Sequence, residues 1–217
     1  MKKNNFSGLI KGFMVAGLAS FLVTACNNES DSKTTDDSMS AMKDSSMSGP
    51  TMNAGDTMVA MDTAGVPMVQ SAMVNITGTY PDTAVTGMAK FTAADGKVKM
   101  VLEIMVPMKA GKSVAVHLHE HGDCGDNGKM SHGHWNPTKE DHGKWGTAPF
   151  HRGDIGNVKL DAKGKGTLTV TTDLWTLGGK PDMNILGKAM IVHGGVDDYK
   201  TQPTGNAGSR IGCGVIQ

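Results

Sequence analysis

The sequence predicts an all-β fold, an antiparallel sandwich or barrel of about eight short strands with two long functional loops. Three observations carry that prediction. Apolar and polar residues alternate in short runs from about residue 70 onward, no stretch keeps a helical apolar period, and 29 of the 217 residues are glycine against 5% aromatic. Alternation turns one face of each run toward a core, and glycine suits the tight turns between short strands.

Taken in order, residues 73–78 and 84–92 read as strands joined at Tyr80-Pro81-Asp82. Asp95-Gly96 is a hairpin signal, because both turn positions of a two-residue loop need positive φ. It leads into a strand over 98–106, and a fourth follows over 113–120. Beyond a histidine-rich segment come 156–160, a turn at Asp161-Ala162-Lys163-Gly164, then 167–172, 189–193 and 211–216. The loops 121–155 and 194–209 remain without periodicity. Loops of that length are uncommon and usually functional, and they need an internal stabiliser.

Upstream of residue 70 the composition changes. Lys2, Lys3 and Lys11 precede or open an apolar run over 12–25 that ends at Cys26, the layout of a signal peptide over 1–25. Val23-Thr24-Ala25-Cys26 resembles the bacterial lipobox, which implies lipid on Cys26 and a place in the cell envelope, facing the periplasm or the cell surface. Residues 26–69 are rich in Ser, Asp, Thr and Met and bury too little to order themselves, so they read as a disordered tether. Their methionines read as part of a low-complexity spacer, with capture of Cu(I) by these soft ligands as the alternative. The formal net charge of +0 gives no reason to expect a nucleic-acid partner, and the membrane enters only through the lipid anchor. In an exported chain with 3 Cys, lipid on Cys26 leaves Cys124 and Cys213 to pair.

Seven of the 8 histidines lie between Val114 and Asp154, and only His193 lies elsewhere. Imidazoles crowded among glycines and carboxylates point to metal chemistry. His117 and His119 are two apart on a strand, so both leave the same face. His134, His142, His151 and Asp154 make an N3O set that zinc accepts in a closed, structural site. An all-imidazole set with an open position suits a redox copper. His121 and His132 read as solvent-facing or as supporting residues behind the ligands, with a ligand role as the alternative.

These residues resemble the copper/zinc superoxide dismutases. His117-Leu118-His119-Glu120 with Gly122-Asp123-Cys124, His134-Trp135-Asn136-Pro137, and His142, His151 and Arg152-Gly153-Asp154 at gaps of 8, 9 and 3 residues are similar to that family's motifs. So are His193, Gly205-Asn206-Ala207-Gly208-Ser209-Arg210 and Cys213-Gly214-Val215-Ile216, and the likeness spans residues 70–217. The resemblance implies a Greek-key barrel that converts superoxide to dioxygen and peroxide. It implies one copper per subunit on His117, His119, His134 and His193, and one zinc per subunit on His134, His142, His151 and Asp154. By the same resemblance His134 bridges the metals and donates a proton, and Asp197 accepts hydrogen bonds from one ligand of each. Arg210 attracts the superoxide anion and Thr204 helps shape its channel. Pro203 stands where eukaryotic relatives often carry lysine, which leaves steering either to Lys200 or weaker than in those relatives. The competing reading is an envelope lipoprotein of the same fold that buffers copper. Monomer and homodimer are both left open.

Overall fold

The structure is a computed structural model that describes Ala60, Met61 and residues 65–217. The expected signal peptide, Cys26 and nearly all of the expected tether therefore lie outside the described residues. Ala60–Met61 (β1) and Pro67–Met68 (β2) form a two-residue ladder. Eight further strands make one antiparallel sheet: Ser71–Gly78 (β3), Thr86–Ala94 (β4), Lys97–Met105 (β5), Ser113–His119 (β6), Gly156–Lys159 (β7), Lys165–Thr172 (β8), Ala189–His193 (β9) and Arg210–Val215 (β10).

The spatial order is β7-β6-β9-β10-β3-β4-β5-β8. The connections β5 to β6 and β8 to β9 cross from one side of the order to the other, as in a Greek key. The short turn around Asp161 joins β7 and β8 at the two ends of the order, so the sheet curls into a nearly closed barrel. All eight expected strands are present, with ends moved by a few residues. Asp95 and Gly96 have φ of 52° and 70°, the turn geometry that their sequence predicted, and Ala94 pairs with Lys97 across it.

The two halves of the barrel differ in what covers their outer face. Along β3 and β5 buried and exposed residues alternate, because one face packs on the core and the other meets water. Strands β6 and β9 are buried on both faces, apart from half-buried Ser113. Val114, Val116 and Leu118 of β6 enter the main core with Phe91, Met100, Leu102, Met190 and Val192. The opposite parity carries His117 and His119 outward, beneath the long loops.

A third connection, residues 173–188, was not singled out in the sequence. Its Trp175, Leu177 and Ile185 are buried in the core, and Trp175 Nε1 donates to Arg152 O at 2.9 Å. It also takes up residues just before the expected domain start: Val69 N donates to Leu177 O at 2.9 Å, and Met68 bridges to Gly178. Apolar residues spaced without period on an irregular loop give no pattern to read, which is why the closing of this end of the barrel was invisible in the sequence.

Cys124 and Cys213 form a disulfide that ties the first long loop to β10 across 89 residues of sequence. Ala189, Ile191 and Cys213 make a small apolar cluster with Cys124 outside the main core. Closing so long a loop restricts the unfolded chain, and Cys124→Ser or Cys213→Ser should lower unfolding free energy by about 2–5 kcal/mol. Urea denaturation of the oxidised protein and each variant measures this; a loss well below about 1 kcal/mol would contradict it.

Candidate functional site

Two clusters of four ligating side chains lie under the loops. In the first, His117, His119, His134 and His193 each bring a ligand atom within 4.8 Å of the others; His134, His142, His151 and Asp154 do the same in the second, and all seven residues are buried. His134 belongs to both. The fold delivers them from separate places: His117 and His119 from β6, His193 from the end of β9, and the rest from the first long loop. That loop is pinned to β6 by Trp135 N donating to Leu118 O at 2.8 Å and Leu118 N to Gly153 O at 2.9 Å. His134 bridges directly to His119.

Hydrogen bonding sets which ring nitrogens are bare. A carboxylate or carbonyl only accepts, so the nitrogen facing it carries the proton. His117 Nε2 donates to Asp197 Oδ2 at 2.9 Å, His119 Nδ1 to His132 O at 2.8 Å, and His193 Nδ1 to Gly208 O at 3.3 Å. This leaves His117 Nδ1, His119 Nε2 and His193 Nε2 as lone pairs. His119 Nε2 and His193 Nε2 face each other at 3.4 Å. His117 Nδ1 and His134 Nε2 are buried without a hydrogen-bond partner. Four bare acceptors converging away from water are costly unless a cation lies among them.

The second cluster is built alike. His142 Nε2 donates to Asp197 Oδ1 at 2.9 Å, which turns Nδ1 toward Asp154 Oδ2 at 3.0 Å. His151 Nδ1 lies 3.2 Å from Asp154 Oδ1 and His134 Nδ1 lies 2.8 Å from it. His142 Nδ1 and His151 Nδ1 make no aligned hydrogen bond despite these distances. Tetrahedral ligands at 2.0–2.1 Å from zinc are about 3.3 Å apart, close to this spacing. Both donor sets therefore fit a metal ion.

The electrostatics agree. Burial opposes the Asp154 anion, but the His134, His142 and His151 rings gathered around it outweigh that penalty and hold its carboxyl far below the usual range. Burial likewise opposes Asp197, and His117, His142 and Tyr199 N overcome it. Burial pushes His117, His119 and His193 down, neighbouring imidazoles press the latter two further, and the Arg210 charge adds to both. His134 is lowered to about 4 by burial against the pull of Asp154. Burial also opposes the His142 cation, yet its two carboxylate partners raise it to about 9.

Arg210 opens β10 opposite His193, and the register shifts between Arg210 and Gly212. Such a bulge re-aims a side chain. The guanidinium is half-buried, with Nη1 donating to Gly128 O at 2.6 Å and Ser131 Oγ at 3.1 Å, and Nη2 donating to His132 O. Thr204 is half-buried in the second loop beside Gly205. His121 and His132 are exposed, as read from the sequence.

Four supporting residues escaped the sequence reading. Gln202 clamps His142 by accepting from its N at 2.8 Å and donating to its O at 2.9 Å. Asn157 exchanges hydrogen bonds at 2.9 Å with the Asp197 backbone, and Tyr199 N donates to Asp197 Oδ1 at 2.7 Å. Gly205 has φ of 65°, and a side chain there would collide with Asp197 Oδ1 and His142 Nε2. Gly205 left a signal, within the Gly205-Asn206-Ala207-Gly208 run; Gln202 and Asn157 pair across 60 and 40 residues, while Tyr199 bonds Asp197 from two residues away.

Fold and site together define a β-barrel metalloprotein whose two buried ligand clusters share one imidazole. The family model described as "Copper/zinc superoxide dismutase (SODC)" matches residues 85–216. The chain belongs to the copper/zinc superoxide dismutase family. It is 42% identical over 109 residues to "Superoxide dismutase [Cu-Zn] 1" of Aquifex aeolicus, covering 48% of this chain and 64% of that protein. Identity to "Superoxide dismutase [Cu-Zn] 5" of Dictyostelium discoideum is 36% over 140 residues, 61% of this chain and 90% of the relative. For the "Extracellular superoxide dismutase [Cu-Zn]" of Drosophila melanogaster it is 38% over 143 residues, 62% and 77%. The chain thus spans just under two thirds of the Aquifex aeolicus relatives it matches, 64% and 63%. Among solved structures, the "clock protein EA4" superposes with a TM-score of 0.58 at 33% identity, over 68% of this chain and 93% of the other.

Two outcomes follow. With its ring pKa raised to about 9 from 6.5, His142 stabilises the metal-free fold fully below pH 6.5 and loses that contribution as pH rises through 9. His134, lowered to about 4, destabilises the fold below pH 4 and ceases to do so as pH rises to 6.5. Thermal unfolding of metal-free protein across a pH series should therefore peak near 6.5, and metal loading should remove the alkaline decline; a flat metal-free profile would count against both assignments. Separately, Asp197→Ala should weaken metal retention by about 10- to 100-fold in chelator competition, since it frees one ring in each cluster.

Proposed function

We propose that the chain is a superoxide dismutase with copper on His117, His119, His134 and His193 and zinc on His134, His142, His151 and Asp154. The observation that carries this is the pair of buried clusters sharing His134, with bare nitrogens facing inward and Arg210 alongside. The all-imidazole set suits a redox copper and the N3O set a structural zinc. Bound copper supplies the one-electron chemistry that oxidises one superoxide to dioxygen and reduces a second to peroxide.

The chain's own residues do the rest. Arg210 presents a fixed cation to a small anion, its backbone-bound guanidinium losing little freedom when the anion arrives. Thr204 helps bound the approach. His134 Nε2, bare in the structure, would take up a proton whenever it is not engaged as a ligand and pass it to the product, while Nδ1 stays toward Asp154. Asp197 keeps the His117 and His142 rings in one tautomer, so their metal-facing nitrogens remain deprotonated. With Pro203 beside Thr204, steering beyond Arg210 falls to Lys200.

We further propose export and anchoring through lipid on Cys26, with the residues between Cys26 and the β1–β2 ladder as a tether. Relatives named extracellular and the Cys124–Cys213 bridge support an oxidising compartment. Among the described residues no helix is long and apolar enough to cross a membrane.

Reconstituting the full chain with copper and zinc and following superoxide decay tests the activity. Arg210→Ala should cut kcat/KM by about tenfold or more with metal content unchanged, and the wild-type rate should fall as salt rises. Fully metallated wild type without activity would sink the enzyme reading and leave copper buffering in its place.

A further inference from the structure

Just past β6 lie three residues that neither buried cluster uses. Glu120, His121 and His132 are exposed, and a ligand atom from each falls within 4.8 Å of the other two. The two imidazole rings are 4.4 Å apart between centroids and tilted by 55°.

The backbone holds this arrangement in advance. Glu120 N donates to Gly133 O at 3.1 Å and His121 N to Ser131 O at 3.2 Å, so the chain leaving β6 runs beside the segment that approaches His134. His132 is held at φ 62°, a conformation non-glycine residues seldom adopt. Its N donates to Lys129 O at 3.1 Å, and its O accepts from His119 Nδ1 at 2.8 Å and from Arg210 Nη2. The backbone of His132 is thus committed inward, while its side chain is on the surface with His121 and Glu120.

Two imidazoles and one carboxylate are a donor set used for zinc, and imidazole also suits copper. With three protein ligands at an exposed position, water completes the coordination and the ion exchanges freely. We propose that Glu120, His121 and His132 form a third, exchangeable site for a divalent first-row cation, Zn(II) or Cu(II). It lies on the outer side of the loop whose inner side holds His119 and Arg210. The proposal stands apart from the dismutase reading, since none of its ligands belongs to the buried clusters. An ion there would clamp His132 and, through its carbonyl, the two groups that this carbonyl accepts from.

Zinc is the better probe, because the thioethers of the N-terminal methionines favour Cu(I). The full chain, loaded with copper and zinc, is dialysed against Zn(II) at a series of buffered free concentrations, and bound metal is counted by mass spectrometry. Wild type should take up one equivalent beyond its buried metals. His121→Ala and Glu120→Gln should each weaken that uptake at least tenfold while keeping the buried metal content. No additional equivalent in wild type, or an equal one in both variants, overturns the proposal, the latter marking adventitious zinc. Buried content is read from the same samples, so empty buried clusters beside an intact third equivalent would fault the dismutase reading alone.

Discussion

The carboxylate of Asp197 is the joint on which the rest of the site depends. One oxygen accepts from His117 on β6 and the other from His142 on the first long loop, while the residue itself sits on the second long loop. Three parts of the chain meet at one buried anion. Its burial is expensive unless the charge is fully hydrogen-bonded; Tyr199 N adds a third donor to the carboxylate, and Asn157 holds the Asp197 backbone in place. Gly205 matters for the same reason, because only a residue without Cβ lets the loop close over that carboxylate.

The two clusters show a similar balance from the other side. Each ring that offers a bare nitrogen inward has, where a partner is resolved, its second nitrogen tied to a carboxylate or a backbone carbonyl. This fixes ring orientation before any ion arrives, at the cost of placing lone pairs together out of water. His142 and Asp154 show the result without metal: the imidazole is drawn toward its cation and the carboxyl is held ionised. A proton is a poor substitute for the ion that the geometry suits.

The barrel makes this affordable by dividing its labour. Strands β3, β4 and β5 form the water-facing side, whose inner residues, among them Ile76, Phe91, Met100 and Leu102, enter the core. Strands β6, β9 and β10 use their inner face for the same core and their outer face for His117, His119, His193 and Cys213. A ligand on a strand buried on both sides has little freedom to move, which suits sites that demand fixed geometry. The loops above it are irregular; the disulfide and Trp175 fasten the first to the barrel, and Gln202 ties the second to the first.

Much of this was legible along the chain. Alternation located all eight barrel strands, Asp95-Gly96 marked its hairpin, and i, i+2 parity placed His117 and His119 on one face, because each of these is a local property of consecutive residues. The ligand pattern of the family could be matched for the same reason, as spacing along the sequence. What stayed hidden depends on contacts across long separations. Nothing near Gln202 announces that it clamps His142, nor does anything near Trp175 say that it reaches Arg152. That His121 and His132 meet at all follows from the pairing of the chain after β6 with the segment before His134, and pairing between distant stretches is decided only when the barrel closes and the loops fold down over it.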